Sequence, residues 1–301
     1  MSTELILHHY DTSPFSEKPR VMFAIKRLAW RSVIQPVIMP KPELVPLTGG
    51  YRRIPVMQAG ADIYCDTQVI LAEIEARAPA PRLAQGGDWA VNIWADRLFF
   101  QATVAVVFGA IGDNIPEAFV KDREKLSGRA FDMDAMKAAA VPMQAQWRAH
   151  AAWIEQGLAG GDFLGGPAPS LADVAAYMNV WWLSAAARAI ADQLLAGFPR
   201  TTAWRARMAA LGHGDRREMT GAEALEVART SEPGPAPAHD DPTGPSPGAA
   251  VSVAADDYGR DPVEGRLVAA TPQRIVIERD SAELGRLHIH FPRIGYILAR
   301  A

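Results

Sequence analysis

From Trp89 to Arg229 the chain sets large apolar residues at helical spacing. Within Trp89–Ala110, Ile93, Leu98, Phe100, Val104 and Phe108 recur on the helical period, the pattern of an amphipathic or buried helix. Met133–Leu158 and Ser170–Ile190 continue it, with shorter helical stretches at Thr202–Leu211 and Ala222–Arg229. Two starts are signalled by capping boxes: Ser170 with Asp173, which uses the shorter acid, and Thr220 with Glu223. Residues 86–230 therefore read as one all-helical domain.

The preceding residues, 1–80, have a different period. Glu4–Tyr10 reads as a strand, Ser16–Leu28 as a helix and Arg31–Val37 as a second strand. Val56–Gln58 and Ala61–Cys65 read as a hairpin turning at Gly60, and Thr67–Arg77 as a helix stopped near Pro79. The order βαβ then ββα folds as a small mixed sheet flanked by helices. Beyond the helical region, prolines at 233, 235, 237, 242, 245 and 247 make residues 231–249 a linker, extended or mobile. In 250–301, short strand patterns at Glu264–Ala270, Gln273–Arg279, Arg286–His290 and Tyr296–Leu298 predict a small β-rich unit. A unit of that size is marginal alone, so it is expected to dock on the helical domain. The fold class is α+β.

A formal charge of −3 over 301 residues gives no global basic field and excludes nucleic acid as an expected partner. With one cysteine, Cys65, no internal disulfide forms, and the cysteine usage points to no oxidising compartment. Met1–Leu7 lacks the basic start and long apolar run of a signal peptide. The apolar stretch Ala172–Ile190 is broken by Asp173, Asn179, Ser184 and Arg188, as in a core helix rather than a membrane span. A cytoplasmic protein without a membrane partner is expected.

Three segments carry chemistry. In Tyr10-Asp-Thr-Ser13-Pro14-Phe15-Ser16-Glu-Lys-Pro19, a proline is tolerated only in a helix's first turn, which predicts a cap near Phe15 or Ser16. Ser13 then lies just ahead of the helix, where free N–H groups and the dipole favour an anion. A hydroxyl there either caps the helix or donates to a thiolate. Lowering a thiol pKa by about two units needs about 2.7 kcal/mol. A hydrogen bond to a charged group supplies roughly 1.5–3 kcal/mol and the helix end roughly 0.3–1 kcal/mol, so the second role is energetically open. In Arg52-Arg53-Ile54-Pro55-Val56, a proline opening a strand after Gly49 and Gly50 suits a tight turn, cis or trans, with the Val56 main chain offered to an extended peptide. In Asp66-Thr67, Thr67 is a candidate N-cap whose hydroxyl and N–H either serve the helix alone or hold a carboxylate, and Asp66 suits an α-amino group.

Taken together, Ser13-Pro14-Phe15, Arg53-Ile54-Pro55-Val56 and Asp66-Thr67, followed by an all-helical region, resemble the serine-type glutathione transferases of the tau, phi and zeta classes. The resemblance covers about residues 4–229. It implies a thioredoxin-like N-terminal domain, a helical C-terminal domain and a homodimer. It further implies that Ser13 activates the thiol of glutathione, a co-substrate. Val56 would bind the cysteinyl main chain, Asp66 and Thr67 the γ-glutamyl end, and Arg53 with Lys41 the glycyl carboxylate. Phe15, Ile54 and Pro55 belong to the same glutathione site. Asp-Thr in place of the commoner Glu-Ser or Asp-Ser is one departure from the family pattern, and Pro19 is another.

Tyr10 ends the first strand roughly where tyrosine-type relatives carry their hydroxyl, and ranks second to Ser13 because it equally suits packing beneath the site. Ser13-Pro14-Phe15-Ser16 holds no cysteine, which excludes dithiol chemistry, and Cys65 reads as core. His8 and His9 alternate in a strand, so at most one faces a site. His288 and His290 share a strand face and either form a packed or exposed pair, the favoured reading, or bind a metal; no metal is expected. Trp94, Phe99, Phe100 and Phe108 include core residues, with one or two lining an electrophile pocket by family analogy. The expected function is attack by activated glutathione on an electrophilic, hydrophobic small molecule. A non-catalytic binding or assembly protein, and a glutathione-dependent lyase, isomerase or dehalogenase, are the alternatives.

Overall fold

The structure, a computed structural model, describes residues 4–301, the side chain of residue 113 excepted. Its elements run β1 Ile6–His9, α1 Pro14–Ile25, β2 Ala29–Ile34, α2 Val45–Thr48, β3 Val56–Ala59, β4 Asp62–Cys65 and α3 Thr67–Arg77. The helical part comprises α4 Asp88–Trp94, α5 Phe100–Ile111, α6 Glu117–Ser127, α7 Met133–Gly157, α8 Leu171–Ala186, α9 Arg188–Leu194 and α10 Pro199–Leu211. Then come β5 Asp215–Glu218, α11 Gly221–Arg229, β6 Ala250–Ala255, β7 Val263–Ala270, β8 Arg274–Ser281, β9 Gly285–Pro292 and β10 Tyr296–Arg300. The α+β class expected from the sequence is the class observed.

All ten strands join one sheet, in the order β10-β6-β7-β8-β9-β4-β3-β1-β2-β5. Its centre is the thioredoxin-like unit, with β1 parallel to β2 and antiparallel to β3, and β3 antiparallel to β4. The C-terminal strands extend this sheet: β9 pairs in parallel with β4, aligning Asp62, Ile63 and Tyr64 with His288, Ile289 and His290. The expected docking on the helical domain is thus corrected. An open edge at β4 exposes unpaired backbone groups, and a β unit of marginal core gains more by completing that ladder. The linker follows the β unit in extended form, held by Asp240 N–H to Ala270 O (2.8 Å) and Gly248 N–H to Leu267 O (2.8 Å).

Two large cores flank the sheet, with a small third cluster of Ile6, Val33 and Ala224. One buries Leu7, Phe23, Trp30 and Ile70 with Trp147, Tyr177 and Trp204 of the helical domain. The other buries Val56, Ile63 and Cys65 with Val251, Ile277, Ile289 and Phe291 of the β unit. Both capping boxes form. Asp173 also accepts from Trp204 Nε1 at 2.7 Å and Leu164 N at 2.7 Å, locking the start of α8 to its neighbours. The run Asp88–Ile111 is long and apolar enough to cross a membrane by composition. Here its Phe99, Ala102, Val106 and Val107 are core residues.

Pro19 falls inside α1, which begins at Pro14, so the first-turn placement expected for it is corrected. Ser13 and Pro14 set the start, and the apolar residues of α1 from Val21 to Phe23 are buried. Burial of that size offsets the roughly 3 kcal/mol of an interior proline.

Candidate active site

The turn between β1 and α1 places two hydroxyls at one wall. Ser13 has extended backbone angles (φ −76°, ψ 120°) and is itself the N-cap, with Oγ accepting from Ser16 N–H at 3.2 Å. Its own N–H donates to Tyr10 O at 3.1 Å, closing the turn. Burial raises the pKa of the Tyr10 phenol, against the opposing charge of Arg123 and hydrogen bonds with Ser13 and Arg123. Tyr10 is therefore a protonated hydroxyl beside Ser13 at neutral pH, a donor rather than a base.

Both hydroxyls border a cavity of about 700 Å³, within the range of small-molecule sites. Its far walls are apolar: Phe100, Val104 and Phe108 from α5, Phe119 from α6, Phe131, and Trp182 from α8. Phe15 meets Phe100 edge-on at 4.6 Å, and Trp182 stacks on Phe100 at 5.6 Å. Of the four aromatics named from the sequence, Phe100 and Phe108 line this cavity. Phe99 is fully buried, and Trp94 stacks on it at 5.2 Å.

The rim is cationic. Lys41 Nζ donates to Pro36 O and lies 5.8 Å from the centre of the Tyr10 ring. Burial, then Arg123 and Arg52, pull its pKa down to about 8 against the opposing Asp122. Arg52 and Arg123 both pair with Asp122. Arg53 borders the large cavity and also a smaller one of about 60 Å³. Phe15, Ile54 and Tyr258 form the rest of the shared wall.

The small cavity is where Pro55, Asp66 and Thr67 meet. The Ile54–Pro55 bond is cis. Asp66, not Thr67, is the N-cap of α3, accepting from Gln68 N–H at 2.9 Å, which corrects the expected cap. Its φ of 87° is a region side-chain residues avoid, a strain often kept at functional sites. The Thr67 hydroxyl instead accepts from Lys18 Nζ at 3.0 Å. Lys18 is fully buried and pairs with Asp96 at 2.7 Å. Asp96 lies on a π-helical turn, Ala95–Phe99, between α4 and α5. Burial pushes its pKa up, against the opposing pull of Lys18.

Side chains from the far end of the chain complete this cavity. Arg53 pairs with Asp257 and stacks on Tyr258, its guanidinium 4.0 Å from the ring centre. The Tyr296 hydroxyl lies 3.2 Å from both Asp66 Oδ2 and the Tyr51 hydroxyl. Gly259 lets the loop approach: its φ is 57°, and an added Cβ would stand 2.8 Å from Leu126 and 3.1 Å from Arg53.

Ser13, Tyr10, Phe15, Lys41, Arg53 and Ile54 thus border the large cavity, and Pro55, Asp66 and Thr67 the small one. Val56 is buried at the start of β3, aligned with His8 on one side and Cys65 on the other. Neither His8 nor His9 lines either of these two cavities. His8 lies 2.9 Å from Gln58 Oε1, and burial lowers its pKa to about 4; His9 lies 3.0 Å from Ser32 Oγ. Cys65 is buried core, its thiol pushed well up by burial. Lys18, Asp96, Asp257, Tyr258 and Tyr296 were not found by sequence reasoning. Buried charge in the middle of a helix gave Lys18 a faint signal; the other four depend on contacts between distant segments.

Residues 7–82 match the glutathione S-transferase N-terminal domain, and residues 115–207 match the glutathione S-transferase C-terminal domain. Among solved structures, a GST-like protein from Pseudomonas syringae is 35% identical with a TM-score of 0.81, covering 99% of this chain and 100% of that one. The match therefore includes the C-terminal β unit. A glutathione S-transferase from Rhodospirillum rubrum is 22% identical (TM-score 0.54; 67% of this chain, 86% of that one). A Tau class glutathione S-transferase from mango, Mangifera indica, is 14% identical (TM-score 0.51; 69% and 89%). No curated protein matches at the same stringency. With both domain families matched in order over the thioredoxin-like and helical parts, the chain belongs to the glutathione S-transferase family.

Proposed function

We propose that this protein is a serine-type glutathione transferase that attacks an apolar electrophile held in the large cavity. The carrying observation is the pair of neutral hydroxyls, Ser13 and Tyr10, on the polar side of a cavity of about 700 Å³ whose far walls are apolar. A thiolate placed against that polar side receives hydrogen bonds from both hydroxyls and sits at the positive end of α1. Asp66 takes the γ-glutamyl amine, and Lys41 with Arg53 faces the glycyl carboxylate. Catalysis is then activation of the sulfur plus positioning of the two reactants. The active species is a cytoplasmic homodimer, checked by light scattering of the purified chain and by localisation of a tagged one.

The test is turnover of generic aromatic electrophiles with glutathione, scored as kcat and KM. A rate above the uncatalysed one that falls in Ser13→Ala supports the reading. Saturable glutathione binding with no turnover of any electrophile class would favour the second reading, a glutathione-binding assembly protein. That reading is kept open by Asp257 and Tyr296, which already occupy Arg53 and Asp66.

A further inference from the structure

Away from the glutathione site, the seam between β4 and β9 gathers a second set of ligating groups. The parallel register sets Asp62 beside His288 and Tyr64 beside His290. Alternation along both strands turns the Asp62, His288 and His290 side chains to the same face. One donor atom from each lies within 4.8 Å of the others, and all three residues are buried. His290 Nε2 is 2.9 Å from Asp62 Oδ1, and His288 Nδ1 is 3.8 Å from the same oxygen. Ligands bound to zinc at about 2.0–2.1 Å stand roughly 3–4 Å apart, which is the spacing of these two pairs.

The surroundings leave ring nitrogens free for a ligand role. Nδ1 of His288 and Nδ1 of His290 are both buried without a hydrogen-bond partner. The opposite nitrogen of His288, Nε2, lies 3.9 Å from Glu278 Oε2, so a carboxylate stands on each side of the ring. Asp62 Oδ2 is fixed by Gly234 N–H of the linker at 2.7 Å, leaving Oδ1 for the site. Tyr64 stacks on the His290 ring at 4.4 Å and holds its plane. Ligand orientation by such outer partners is typical of metal centres. Arg274, a cation whose charge acts on His290, is paired with Glu73 at 2.9 Å.

We propose that Asp62, His288 and His290 bind one divalent transition metal ion, of the kind suited to two imidazoles and a carboxylate, with zinc as the probe. The ion takes the place of the proton between His290 Nε2 and Asp62 Oδ1, and a water fills its open position. Because the ligands come from the thioredoxin-like sheet and from the β unit, with the linker bound to one of them, the metal clamps the C-terminal unit to the domain that carries Ser13. This role is independent of the reaction carried out at the hydroxyl wall.

The experiment uses the full chain, stripped with a chelator and titrated with zinc against a chromogenic competitor, with metal content and thermal midpoint read in parallel. The expected result is one zinc per chain, a higher melting midpoint with zinc than without, and affinity weakened at least about tenfold in His288→Gln and in Asp62→Asn. Should either variant fail to fold, Co²⁺ loaded into the parent chain decides: a ligand-field absorption band at one equivalent supports the site. Substoichiometric zinc, His288→Gln binding as tightly as the parent, or Co²⁺ uptake without that band overturns it.

Discussion

Arg53 and Asp257 stand 204 positions apart in the chain, yet they form an ion pair at the wall shared by the two cavities. The last β unit therefore holds the side chain assigned to the glycyl carboxylate of glutathione. If the ligand competes for that guanidinium, removing Asp257 helps it. Asp257→Asn is expected to tighten glutathione binding by up to about fivefold, since a partly exposed ion pair is worth roughly 0.2–1 kcal/mol. Arg53→Ala is expected to weaken binding roughly ten- to a hundredfold, as for a charged hydrogen bond of about 1.5–3 kcal/mol. Calorimetric titration of both variants checks the pair, and weaker binding in Asp257→Asn would make Asp257 a ligand rather than a competitor.

Lys41 supplies a pH dependence. Its ammonium is present below about pH 8 and is lost above it, because burial and two arginines disfavour the charge. Affinity for S-methylglutathione, which has no thiol to titrate, is expected to fall as pH rises from 7 to 9.5. Lys41→Arg should flatten the part of that fall due to this group. The same shift acts on stability with the opposite sense. The unfolded chain holds the lysine proton up to about pH 10.4, so the lysine's contribution to stability rises between pH 8 and that value. A fall of equal size in Lys41→Arg would remove Lys41 from the site.

The floor of the small cavity rests on the buried pair Lys18–Asp96, joined at 2.7 Å and aided by Asn92 Nδ2 at 3.1 Å from Asp96. Lys18→Met leaves a buried carboxylate without its partner and is expected to cost about 3–5 kcal/mol in urea unfolding. Adding Asp96→Asn should recover much of that loss, because the charge is removed with its counterion. Additive costs in the double variant would mean that the two side chains do not interact as the geometry requires.

Local chemistry made much of this molecule legible in advance. Ser170–Asp173 and Thr220–Glu223 announced their capping boxes, and both form. The βαβ-ββα order was visible because β1, β3 and β4 are short apolar runs bounded by turn residues. What escaped was set by distant contacts. Strand β5 is Asp215-Arg-Arg-Glu218, with no apolar alternation, and exists because β2 offers it an edge. Pro19 misplaced the start of α1, since helix packing overrode a local penalty. The site itself was half legible. Ser13, Pro55 and Asp66 lie at turns with their own signals, whereas Tyr258 and Tyr296 reach the cavity only because β9 pairs with β4.

The central claim, that the hydroxyl wall activates the sulfur, is tested most directly by the pKa of the glutathione thiol in the binary complex. It is read from thiolate absorbance against pH for the parent, Ser13→Ala and Tyr10→Phe. The predicted result is a bound thiol about two units below the usual thiol value of about 8.5. In Ser13→Ala it returns most of the way, and kcat/KM falls by about ten- to a hundredfold, the equivalent of about 1.5–3 kcal/mol. A bound thiol pKa unchanged by both substitutions, with kcat/KM at the parent level in each, would contradict it.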